Sequence, residues 1–185
     1  MNPTIFLDRD GTLIKEVGYL KNPEQVELLP GVVEGLRLLN TYKLHSVVVT
    51  NQSGIGRGLM TIHDVEAVNK RFLTLLNQQS IQLSGLYYCP HSPELNCFCR
   101  KPRPGLLQQA SSDLGIPWQG GISIGDRFRD VELCQNNGGK GILVLTGYGQ
   151  ASLVEHQGIP ADFVAPNFQT AVEWILKTMQ ERISI

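Results

Sequence analysis

The chain has no long apolar run. Its longest, Val47-Val48-Val49 and residues 142–145, fall far short of the ~18 residues that read as a membrane-spanning helix. It is also poor in charge, and no sign of charge dominates. Asp, Glu, Lys and Arg make up 18% of its 185 residues, below the ~25% of an ordinary globular chain. Sixteen basic against seventeen acidic residues leave a net charge of −1, which offers no electrostatic footprint for nucleic acid or an anionic membrane. The opening Met1-Asn2-Pro3-Thr4 has no basic stretch, so no signal peptide is expected. The expectation is a soluble, cytoplasmic protein, a single domain over residues 1–185, and a monomer.

What is present is a regular alternation. With 42% hydrophobic residues the chain can build a full core. Short β-branched runs at 4–7, 46–49, 86–88, 122–124 and 142–145 read as strands. Between them lie amphipathic segments: a helix at 32–39, one opening at Thr61 with Asp64 as a capping-box partner, one at 104–114, and one near 130–136. The helix from Thr61 presents Ile62, Val65, Val68, Phe72, Leu75 and Leu76 on one face. A C-terminal helix, capped by Asn167, carries Phe168, Ala171, Val172, Ile175, Leu176 and Met179. Alternation of this kind predicts an α/β fold, a Rossmann-like parallel sheet between layers of helices. In such sheets ligands bind beyond the carboxyl ends of the strands. Asp8, Asp10, Thr50, Cys89 and Asp126 all sit at or just after a predicted strand end.

Four segments carry chemistry. In Asp8-Arg9-Asp10-Gly11-Thr12 an extended backbone aims two carboxylates the same way, and Gly11 allows the sharp turn that follows. Asp126-Arg127-Phe128-Arg129-Asp130 adds two more acids after another strand, and four carboxylates at one edge call for a hard cation such as Mg²⁺. Thr50-Asn51-Gln52-Ser53, followed by Gly54-Ile55-Gly56, can hold a phosphoryl group through hydroxyl and backbone N–H donors. Arg100-Lys101-Pro102 supplies a planar cation beside a point cation. Each has a bland reading when taken alone: an Asp-rich turn, a polar loop, a solvated basic pair. A fifth segment places Cys89, His91, Cys97 and Cys99 within eleven residues, a Cys₃His set suited to a closed, structural Zn²⁺ site directly before Arg100-Lys101. Cys134 stands apart and reads as a small buried residue.

In order and type these segments resemble the motifs of the haloacid dehalogenase superfamily of phosphohydrolases. With the zinc loop, the whole chain resembles its subfamily of heptose-bisphosphate and histidinol phosphatases. The resemblance implies an Mg-dependent phosphatase working through an aspartyl-phosphate. Asp8 would be the nucleophile and Asp10 the acid and base. Asp8, the Asp10 carbonyl and Asp126 would hold Mg²⁺, with Asp130 in support. Thr50 and Lys101 would stabilise the transferring phosphoryl group, and Arg100 would recognise a sugar. Glu16, Val17, Gly18, Tyr19, Thr50, Asn51, Gln52, Ser53, Arg100, Lys101 and Arg127 would line the substrate site. Gly18-Tyr19 favours a heptose bisphosphate. Arg127 is the feature shared with histidinol phosphatases, so histidinol phosphate or another small phosphorylated metabolite is the alternative. Only 39 residues separate Asp10 from Thr50, which leaves no room for a large cap, so an open site is expected.

Overall fold

A computed structural model describes residues 2–183, with side chains described to Glu181. Six strands form one parallel sheet: β1 (Ile5–Leu7), β2 (Ser46–Asn51), β3 (Gly85–Cys89), β4 (Ile122–Gly125), β5 (Lys140–Val144) and β6 (Phe163–Ala165). Their order is β3-β2-β1-β4-β5-β6. The order reverses between β1 and β4, and Leu7 lies in register with both Val48 and Ile124. A crevice outside such a reversal is where a doubly wound sheet binds ligands. Asp8 and Asp126, the first residues beyond those two strands, stand on either side of it.

Both faces of the sheet are covered, which is why its strands are apolar throughout. Side chains alternate across a strand. Ile5, Leu7, Val48, Ile122, Ile124, Ile142 and Val144 therefore pack on one face with α1 (Val32–Thr41), α3 (Ile62–Gln78) and α7 (Phe168–Ile183). Phe6, Val47, Val49 and Cys89 pack on the other with α4 (Gly105–Leu114) and α5 (Phe128–Gln135). Cys134 is buried there, as its sequence setting implied. Short helices α2 (Ser53–Gly56) and α6 (Gly149–Glu155) complete the chain. Among the described residues, the segment between β1 and α1 holds only the 3₁₀ turn Pro23–Gln25, and that between β3 and α4 only Pro93–Leu95. Neither holds a cap, and among the described residues no helix is long and apolar enough to cross a membrane.

The helix caps fall where the sequence puts them. Thr61 Oγ1 accepts the Asp64 N–H at 3.1 Å, and the Asp64 carboxylate accepts the Thr61 N–H at 2.7 Å. Asn167 Oδ1 accepts the Thr170 N–H at 3.0 Å. Three expectations change. Ile62 opens α3 and is 50% exposed, so the packed stripe begins at Val65. Pro104 sits one residue outside its helix, as the N-cap. The helix expected near 130–136 starts earlier, at Phe128, because Asp130 reaches back to cap it.

α1 crosses α7 closely at Gly35. A Cβ there would come within 2.7 Å of the Phe168 ring. Gly35→Ala is expected to destabilise the protein by about 1–3 kcal/mol through overpacking. At this chain length that lowers Tm by about 2–10 °C. Calorimetry checks it, and an unchanged Tm would show that the α1–α7 contact yields freely.

Candidate active site

The carboxyl edge of the sheet is organised by a buried lysine. Lys101 Nζ lies 2.5 Å from Asp8 Oδ1, 2.7 Å from the Val49 carbonyl oxygen and 2.7 Å from Asp130 Oδ1. It donates hydrogen bonds to Asp8 and to the Val49 carbonyl oxygen, and it forms an ion pair with Asp130. Burial works against this charge, but Asp130 and Asp8 outweigh it and the Lys101 pKa is raised. The loop is clasped from β2: Asn51 Oδ1 accepts the Lys101 N–H at 3.1 Å, and Asn51 Nδ2 donates to the Lys101 carbonyl at 3.4 Å.

Asp130 links a helix end to this centre. Its Oδ2 accepts the Arg127 N–H at 3.1 Å, capping α5, while Oδ1 pairs with Lys101. Asp126 is held by the loop after β5, whose Tyr148 N–H donates to Asp126 Oδ2 at 2.8 Å. Gly11, at φ 80°, and Gly147, at φ 54°, flank that carboxylate so closely that a Cβ on either would strike it. Oxygens of Asp8, Asp126 and Asp130 lie within 4.8 Å of one another. Burial pushes Asp8 well above the usual carboxylate range, and the neighbouring acids add to this against Lys101. Asp126 is pushed up to about 7 by burial and by Asp130. A cation would hold all three acids ionised; against one ammonium they would then carry a charge of −2, and hard oxygen donors at that charge fit a divalent cation such as Mg²⁺.

Asp10 is kept separate from this cluster. Arg9 is fully buried and donates from Nε and Nη2 to the two Asp10 oxygens, each at 3.1 Å. Arg9 Nη1 donates to Asn69 Oδ1 on α3 at 2.5 Å. Gln52 Nε2, at 2.9 Å, and Thr50 Oγ1, at 3.3 Å, also donate to Asp10 Oδ2.

Two cavities open here. One of about 50 Å³ is lined by Asp8, Asp10, Glu16, Thr50, Asn51, Lys101, Asp126, Arg127, Arg129 and Asp130. The next, about 260 Å³, is lined by Asp10, Glu16, Gly18, Tyr19, Asn51, Gln52, Ser53, Gly54, Arg127, Arg129 and Tyr148. Most of the residues singled out in the sequence are brought together in these walls. Val17 and Arg100 lie outside both linings. Arg100 feels the charges of Cys89, Cys97, Arg57 and Arg129 instead. Arg9, Asn69, Arg129 and Tyr148 are additions that the motifs did not disclose. Only Arg9 and Arg129 had a visible signal, as cations set between motif acids.

The Cys₃His group is assembled behind this edge. All four cysteines are free thiols. Cys89, Cys97 and Cys99 have Sγ atoms 3.2–3.5 Å apart, and His91 Nδ1 lies 3.2 Å from Cys99 Sγ. One donor atom from each of the four fits within 4.8 Å, the compass of a single tetrahedral ion.

Comparison with known proteins agrees with this geometry. A family model described as polynucleotide kinase 3 phosphatase matches residues 3–125, and one described as HAD-hydrolase-like matches residues 98–171. A D-glycero-D-manno-heptose-1,7-bisphosphate 7-phosphatase of Thermosynechococcus vestitus is 35% identical over 97% of this chain and 98% of its own. A D-glycero-beta-D-manno-heptose-1,7-bisphosphate 7-phosphatase of Escherichia coli K12 is 33% identical over 97% and 91%. Among solved structures, the D,D-heptose 1,7-bisphosphate phosphatase of B. bronchiseptica, complexed with magnesium and phosphate, superposes with a TM-score of 0.86 at 28% identity, covering 96% of this chain and 99% of that one. With its acids at the crevice, its buried lysine and relatives that match it almost end to end, the chain belongs to the haloacid dehalogenase-like phosphatases.

Proposed function

We propose that this chain removes the 7-phosphate of D-glycero-D-manno-heptose 1,7-bisphosphate through an aspartyl-phosphate on Asp8. The observation that carries the chemistry is the Asp8 carboxylate at the mouth of the crevice, with Lys101 on one oxygen. Relatives of that name over 97% of the chain support the substrate. Asp8 attacks phosphorus, and its bond to phosphorus forms as the sugar oxygen leaves. Asp10 gives that oxygen a proton, then takes one from the water that cleaves the phospho-aspartate. Arg9 and Gln52 keep Asp10 turned to the cavity it shares with Asp8. Thr50 and Lys101 offer donors to the equatorial phosphoryl oxygens. Glu16, Gly18, Tyr19, Asn51, Gln52, Ser53 and Arg127 are the wall against the rest of the substrate, while Val17 and Arg100 lie outside both cavity linings.

Asp8, Asp126 and the Asp10 carbonyl are the groups assigned to Mg²⁺, with Asp130 behind them. Bound there, the ion would neutralise charge on the phosphoryl oxygens. The Cys₃His group is assigned to a structural Zn²⁺ that stiffens the loop leading into Arg100 and Lys101. One domain over residues 1–185, a monomeric state and a cytoplasmic location complete the proposal.

The test is phosphate release, with Mg²⁺, from the α and β anomers of the heptose bisphosphate and from histidinol phosphate. A preference for a heptose anomer is expected, and turnover of histidinol phosphate alone would overturn the substrate. Asp8→Asn should lower kcat by at least about 10³-fold while circular dichroism stays unchanged. Near-normal turnover in that variant would refute the covalent mechanism. Atomic emission should find one zinc per chain. Its removal by a chelator should lower Tm and raise KM, because the Lys101 loop loses its anchor. Constant Tm and KM after verified zinc loss would remove the anchoring role.

A further inference from the structure

The two cavities at the crevice share Asp10, Glu16, Asn51, Arg127 and Arg129, so a ligand that fills the smaller one continues into the larger along a common wall. The carboxylates on that wall have partners. Asp10 is clamped by Arg9 and Gln52. Glu16 accepts the Gly18 N–H at 2.6 Å and faces the charge of Arg127. Arg127 is itself set in place, with its guanidinium 3.7 Å over the Tyr148 ring.

Arg129 differs from all of these. Among the described residues it makes no ion pair with Asp or Glu. It stands in the first turn of α5, one residue before Asp130, and lines both cavities. Arg127 and Arg129 thus put two guanidinium groups on a concave wall, in a chain whose net charge is −1. Repulsion among gathered cations is offset when an anion binds, and planar guanidinium groups suit the paired oxygens of phosphate.

We propose that Arg129, with Arg127, forms the subsite for a second phosphate, the one that is not hydrolysed, and that Arg129 sets the preference for bisphosphates over monophosphates. The inference rests on the reading that the cavity at Asp8 takes the phosphoryl group being transferred. It deepens that reading by naming the residue that selects for the phosphate that is not hydrolysed.

The test compares kcat/KM on matched pairs, heptose 1,7-bisphosphate with heptose 7-phosphate and a hexose bisphosphate with its monophosphate. It is run on wild type, Arg129→Gln and Arg129→Lys. In Arg129→Gln the ratio of bisphosphate to monophosphate should fall at least tenfold, chiefly through KM. Arg129→Lys should recover part of the ratio, because it keeps the charge but not the fork. The bisphosphate KM of the wild type should also rise more steeply with added NaCl than that of Arg129→Gln. If the wild type prefers bisphosphates and Arg129→Gln keeps the same ratio, the role of Arg129 is overturned and the proposed function stands. If the wild type shows no bisphosphate preference in either pair, the substrate reading falls and the subsite falls with it.

Discussion

The buried ammonium of Lys101 is the constraint on which the rest of the site depends. It draws together the end of β1 through Asp8, the end of β2 through Val49 and the start of α5 through Asp130. Three acidic groups would not otherwise share so small a space. Breaking a buried pair by removing one partner costs about 3–5 kcal/mol, because the other charge is left uncompensated. The chain guards against this by holding Lys101 at its backbone as well as its tip, through the two hydrogen bonds to Asn51. The Cys₃His loop ends two residues earlier, directly before the segment that Asn51 clasps.

With its three acids ionised, the cluster is short of neutral by two charges against a single lysine, a balance that suits a divalent cation. A fully neutralised centre would give a divalent cation no reason to bind. Asp10 stays outside this sum because Arg9 pairs with it alone. Two carboxylates only two residues apart thereby sit in different surroundings. One is buried among acids against an ammonium, and the other is partly open and clamped by a guanidinium. Separate environments for neighbouring acids are how one site supports separate roles. The clamp also joins the site to the core, since Asn69, the far partner of Arg9, lies on α3 among the residues that cover the sheet.

The sheet, its covering helices and most of the cavity walls were legible in the sequence, for physical reasons that can be named. The strands announced themselves because both faces are buried, and β-branched runs such as Val47-Val48-Val49 have few other uses. Thr61 and Asn167 announced helix starts because capping is local chemistry. β6 and α6 were not legible. Three residues are too few to show a period, and α6 begins at a glycine and buries only that residue. Arg9 was hidden for a different reason. A cation between two acids reads as solvated, and only the fold reveals that Asn69, sixty residues away, completes its coordination. The support of Asp126 by Tyr148 was hidden likewise, since a backbone N–H carries no residue signature.

Without a cap, the fold cannot select a substrate by closing over it. Selection must come from the fixed rim of the crevice. The reacting end is narrow, and its acids are held by Lys101, Arg9, Gln52 and backbone N–H groups. The far end is wider and is bounded by Tyr19, Ser53, Tyr148, Arg127 and Arg129. Groups at the narrow end act on any phosphoryl ester that reaches Asp8, so they cannot distinguish one ester from another. Discrimination therefore falls to the wide end. There, charge at a fixed distance is the one property that an open wall can read without enclosing its ligand. A substrate with anions at both ends satisfies both ends of the crevice at once, whereas a monophosphate leaves Arg127 and Arg129 facing solvent.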